Sequence, residues 1–223
     1  METIENTGWA EKSVRIGIER NQLEGVLTVP DQAHGIVVFA HGSGSSRHSP
    51  RNQRVAEVLN EAGIATLLMN LLTVEERAFD QQTQHLRFDI AFLSSRLKGA
   101  NAWLKKQPET ADLPLGFFGA STGAGAALVT AAACPDDVFA VVSRAGRIDM
   151  AGKSLPLVKA PTLLIVGGAD VPVIDMNRQA QAKMTALTEM QIVPRATHLF
   201  EEPGTLDEVA QLATDWFGRY LRK

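Results

Sequence analysis

The sequence has little of what marks specialised proteins. Its one cysteine, Cys134, cannot form an internal disulfide, so a disulfide-built scaffold is excluded. No apolar run approaches the roughly 18 residues that suggest a membrane-spanning helix. Residues 1–13 are acidic and lack the apolar stretch of a secretory leader, which makes a reducing cytoplasm the expected compartment. A strong charge bias is missing too. The net charge of -3, with both signs scattered, leaves no basic stripe for nucleic acid and no polybasic patch for a membrane surface. No His/carboxylate cluster at metal-ligand spacing is evident, and neither a metal nor an organic cofactor is expected. Repeats, low-complexity tracts and Pro/Gly/Ser-rich linkers are absent, so the 223 residues are expected to form one domain, 1–223. The expected partner is a small molecule; a homo-oligomer is compatible with all of this.

What is present is an alternation of short β-rich runs with longer helical patterns, the behaviour of a mostly parallel sheet covered by helices on both faces. Residues 12–18 and 23–29 suggest an opening antiparallel hairpin. Continuous apolar runs at 35–40, 64–69, 115–118, 138–143 and 162–166, with a shorter one at 190–193, suit strands buried on both faces. Helices are expected at 52–62, 86–104, 122–133, 174–187 and 206–221. The clearest, 86–104, repeats Leu86, Ile90, Leu93, Leu97, Ala100 and Leu104 at three- and four-residue spacing. The segment 147–160 is too short for a lid domain, which implies an open or shallow site.

Four segments carry chemistry. Gly119-Ala-Ser121-Thr-Gly123 is a G-x-S-x-G pattern between a strand and a helix of small residues, the arrangement that exposes a serine nucleophile on a tight turn. His41-Gly-Ser43-Gly44 follows the strand at 35–40, where a glycine-rich turn can aim backbone donors at an oxyanion; the Ser43 and Thr122 N–H groups are the candidates. An apolar strand ends at Gly167-Gly168-Ala-Asp170, which puts a carboxylate at the sheet's carboxyl edge. Asp175 is the nearby rival, but its position suits a helix start. His198, after the last strand, completes the order Ser, Asp, His. His34 precedes a strand, His85 sits near a helix start, and His41 and His48 belong to the first glycine-rich region. Cys134 ends a helix of alanines, a place for a small buried thiol.

The segments His41 to Asn52, Phe117 to Leu128, Val141 to Gly152 and Thr197 to Leu206 give the chain a resemblance to small α/β hydrolases of the dienelactone-hydrolase-like group, from Gly35 to the C-terminus. They are most similar to a branch whose members are sometimes fused to phosphoribosyltransferases, although no phosphoribosyltransferase segment is found here. The resemblance implies the α/β-hydrolase fold and a catalytic triad. Dienelactone hydrolase proper has a cysteine in its elbow where this chain has Ser121, which counts against dienelactone itself as the substrate.

Together these features describe a serine hydrolase of small acyl esters, thioesters or lactones, with Ser121, His198 and Asp170 as its triad. The competing class is a catalytically silent hydrolase-fold binding or regulatory protein. Arg144, directly after the strand at 138–143, is expected at the same edge as Ser121. There it either pairs with a structural acid such as Asp149 or, with Arg47 or Arg147, grips a carboxylate or phosphate on the substrate.

Overall fold

Strand pairing in the computed structural model, which describes residues 9–221, starts with the hairpin expected from the sequence. β1 (Glu11–Ile18) and β2 (Asn21–Thr28) pair antiparallel, and β2 pairs antiparallel with β4 (Ala65–Met69). The remaining strands run parallel: β3 (Ile36–Ala40), β5 (Leu115–Ala120), β6 (Val138–Arg144), β7 (Thr162–Gly167) and β8 (Thr188–Val193). Their order across the sheet is β1-β2-β4-β3-β5-β6-β7-β8. The chain therefore leaves β3 toward β4 and returns on its other side as β5. Loops at the carboxyl ends of β3 and β5 part at this switch point, where open parallel sheets bind ligands.

Alternate residues of the central strands feed separate cores. Ile36, Val38 and Phe117 face the core built with α3 (Ile90–Leu104) and α4 (Thr122–Ala133), while Val37, Phe39 and Phe118 face α1 (Pro50–Glu61) and α6 (Thr205–Tyr220). This two-sided burial explains why the strands read as unbroken apolar runs. Phe39 and Phe118 are fully buried with ring centres 5.0 Å apart; burying one such side chain contributes about 1.5–3 kcal/mol.

Helix ends differ from the expected ones for local reasons. The pattern at 86–104 splits because Asp89, whose backbone is non-helical, caps α3 by accepting the Phe92 N–H, which leaves Leu86–Phe88 as a separate 3₁₀ turn. α1 begins at Pro50, with the Ser49 hydroxyl capping Asn52. α5 (Val171–Gln181) starts earlier than expected, with Pro172 in its first turn, and ends earlier. α2 (Val74–Thr83) is absent from the sequence-based assignment. It is fixed by a capping box in which Thr73 and Glu76 exchange side-chain and backbone hydrogen bonds. The carboxyl edge carries no large lid among the described residues. Among them, no helix is long and apolar enough to cross a membrane. Residues 1–8 of the acidic opening stretch lie outside the described residues.

Candidate active site

Ser121 sits between β5 and α4 with φ 50° and ψ -122°, a conformation strained for any residue with a side chain. Close packing of the flanking backbone holds it there. A Cβ on Gly119 would lie 2.4 Å from the Ala124 Cα, and one on Gly123 would lie 2.0 Å from the Ala40 carbonyl oxygen. Only glycine permits these approaches of strand and helix. The turn is tied down by three backbone hydrogen bonds: Ser121 N–H to the Arg144 carbonyl at 3.1 Å, and Ala124 and Arg147 N–H to the Ser121 carbonyl at 3.1 and 2.9 Å. Although Ser121 is the N-cap of α4, its hydroxyl caps no amide.

Asp170 behaves in the same way at the head of α5. Its side chain makes no capping bond there. Its Oδ2 instead lies 2.7 Å from Nδ1 of His198, which leaves the other imidazole nitrogen without a partner among the described residues. Asp170 is largely buried and His198 about two-fifths exposed. Asp175 is exposed within α5 and faces Arg178 at 3.5 Å, apart from this group. His198 and Ser121 line one cavity of about 240 Å³, together with Gly42, Ser43, Arg51, Asn52 and Arg144.

The loop after β3 separates that cavity from a second one of about 340 Å³, lined by Leu71, Leu72, Leu93, Arg77, Asp80 and Arg87. Gly42 and Ser43 border both cavities. Neither the Ser43 nor the Thr122 amide donates to an acceptor among the described residues. Thr122 opens α4, so its N–H also carries the positive end of the helix dipole. The loop is anchored by His41, which the sequence places here without indicating a role. Its Nε2 accepts the Leu71 N–H at 3.2 Å, so Nδ1 carries the proton and donates to the Gly42 carbonyl at 2.9 Å. Burial, with a smaller contribution from the Arg77 charge and despite the Gly42 hydrogen bond, pushes the His41 pKa down to about 4. His41 is therefore neutral at ordinary pH.

The three arginines singled out from the sequence have different surroundings. Arg47 Nη1 meets Glu24 at 2.5 Å, and Arg147 forms two 2.9 Å bonds to Asp149. Asp149 thus takes Arg147, not Arg144, because Arg147 lies two residues away while Arg144 points into the sheet's edge cavity. Arg144 is buried, and its nearest acceptor is the Asn52 Oδ1 at 3.5 Å. Burial, reinforced by the Arg51 charge, lowers its pKa to about 10, which leaves it protonated at neutral pH. Arg51 and Asn52 were not anticipated. Their signal was Ser49-Pro50, a helix start that puts both residues in the first turn after β3, at the carboxyl edge.

The family model described as "Dienelactone hydrolase family" matches residues 23–221. A crystal structure of a dienelactone hydrolase from Anabaena variabilis is 58% identical, with a TM-score of 0.95 over 96% of this chain and 100% of that one. The structure of Est1E from Butyrivibrio proteoclasticus, 14% identical, shares the fold with a TM-score of 0.77 over 93% of this chain and 98% of its own. A Mycobacterium tuberculosis protein provisionally named a phosphoribosyl transferase is 61% identical over 88% of this chain. The chain spans only 44% of that relative's length, in keeping with a branch whose members are sometimes fused to phosphoribosyltransferases.

Proposed function

Since the chain belongs to the dienelactone hydrolase family, we propose that it is a serine hydrolase that cleaves small acyl esters through an acyl-enzyme, and that Ser121, His198 and Asp170 are its triad. The observation that carries this reading is the 2.7 Å contact of Asp170 with His198 Nδ1, made by an imidazole that shares a cavity with a strained, uncapped serine. Asp170 fixes the tautomer with the proton on Nδ1, so Nε2 is the basic nitrogen. His198 Nε2 takes the hydroxyl proton as Ser121 Oγ attacks the acyl carbon. The tetrahedral oxyanion is held by the Ser43 and Thr122 N–H groups. Collapse expels the alcohol, which receives the proton from the imidazolium. Water, deprotonated by His198, then cleaves the acyl-enzyme and restores Ser121.

A fluorophosphonate probe tests this without knowledge of the natural substrate. Wild-type protein is expected to form one adduct, on Ser121, and His198→Ala to react far more slowly. Absence of an adduct on folded wild-type protein would favour a catalytically silent binding protein.

A further inference from the structure

Arg144 is an anomaly among the buried cations. Arg96, equally buried, is paired with Glu76 and lies over the Phe92 ring, and even the half-buried Arg87 holds Asp80 at 2.6 Å. Arg144 is only 6% exposed and, among the described residues, has no carboxylate within ion-pair distance. Its Nε and Nη1 are buried without a hydrogen-bond acceptor among the described residues, and Nη2 reaches Asn52 at the outer limit of a hydrogen bond. The neighbouring charge is another guanidinium, Arg51, whose own Nε is likewise buried and unpartnered. Arg51 Nη1 contacts Glu201 at 3.3 Å, but that carboxylate is largely exposed. A buried cation without a counter-charge is costly, and the half-buried Arg51 guanidinium beside Arg144 adds repulsion. Such an arrangement is explained if an anion completes it.

The position of the unsatisfied donors identifies where that anion comes from. Arg144 ends β6, its carbonyl holds the Ser121 N–H, and its side chain lines the cavity of Ser121 and His198. Building on the serine-hydrolase reading, we propose that Arg144, with Arg51 and Asn52, forms a subsite for an oxyanionic group on the ester substrate, so that the protein selects anionic over neutral esters. The planar guanidinium offers two parallel N–H donors to two oxygens of one carboxylate or phosphate, and the buried setting strengthens each bond. Asn52 contributes orientation through its contact with Nη2. Arg47 and Arg147 are outside the subsite, since Glu24 and Asp149 already occupy them.

The test compares the neutral 4-nitrophenyl butyrate with the 4-nitrophenyl half-ester of glutaric acid, which carries a free carboxylate. Wild-type protein is expected to favour the half-ester, and Arg144→Gln to lower the half-ester to butyrate ratio of kcat/KM by roughly tenfold or more, the typical effect of losing a charged hydrogen bond. Arg51→Gln, at a partly exposed position, should lower the same ratio less and guards against misfolding of the first variant. A second arm bypasses turnover. In Ser121→Ala, glutarate or inorganic phosphate should raise the Tm, the stronger of the two identifying the anion, and adding Arg144→Gln should abolish the shift. Equal losses on both esters, or a Tm response indifferent to Arg144, would overturn the subsite. Failure of every ester to turn over, with the anion shift retained, would overturn the hydrolase reading and leave the subsite standing.

Discussion

Asp170 heads α5 but gives its carboxylate to His198 Nδ1, 2.7 Å away, and leaves the helix amides uncapped. A missing N-cap bond costs a helix about 1 kcal/mol. That cost is accepted at a residue type that normally caps, which is what a functional constraint on the carboxylate would produce.

Asp170→Asn should therefore separate stability from activity. The amide can present an N–H to Nδ1 and favour the wrong imidazole tautomer, so kcat on a short ester is expected to fall by roughly 10³–10⁴-fold. Because no cap is lost, the Tm should shift little. A variant with more than about a tenth of wild-type kcat would refute the orienting role of Asp170.

The elbow makes a structural prediction. In Gly123→Ala the new methyl would meet the Ala40 carbonyl at 2.0 Å, a backbone atom that cannot swing aside. The loss is expected to be about 3 kcal/mol, or roughly 6–12 °C in Tm for a chain of this size. Gly218→Ala in α6, where nothing lies within 4 Å of the added carbon, is the control. It should stabilise by about 0.5–1 kcal/mol, since alanine is the better helix former. Similar thermal scans for both variants would show that the elbow has room the geometry denies it.

The central strands were legible in the sequence because burial on both faces writes a continuous apolar run, and the placement of Ser121, Asp170 and His198 at the sheet's carboxyl edge was legible because each follows a strand. α2 was missed for the opposite reason. Of its residues only Asp80 is buried, so no apolar stripe exists to read, and its one local signal is Thr73-x-x-Glu76. Arg144 could be placed at the sheet edge from its position after β6. Its neighbour could not: Arg51 is 93 residues away along the chain and arrives only because β3 and β5 adjoin while β6 follows β5. Likewise, nothing local distinguishes a buried, neutral His41 from a solvated loop histidine.

Substrate length follows from the cavities. With about 240 and 340 Å³ on either side of the Ser43 loop and no large lid above it among the described residues, long acyl chains find little apolar surface to cover them. Hydrolysis of 4-nitrophenyl acetate and butyrate should exceed that of the palmitate by roughly tenfold or more in kcat/KM. Equal or better turnover of the palmitate would require an acyl channel that neither cavity provides.

His41 should make the fold sensitive to mild acid. Its folded pKa of about 4 lies below the ordinary 6.5, so the unfolded chain binds a proton more readily than the folded one. Stability from this residue is fully present above about pH 6.5 and is lost as the pH falls from there toward about pH 4. Between about pH 7.5 and about pH 5 the loss from His41 alone is about 2 kcal/mol. The structural consequence is local, because a protonated Nε2 can no longer accept the Leu71 N–H, and the bond to Gly42 then holds the Ser43 loop alone. His41→Gln cannot take up the proton. It should be less stable at neutral pH, where it lacks the two ring contacts, yet lose about 2 kcal/mol less than wild type on acidification, as read from urea unfolding at the two pH values. An identical loss in both proteins would mean that His41 is not the group that titrates, and that the loop tolerates its charge.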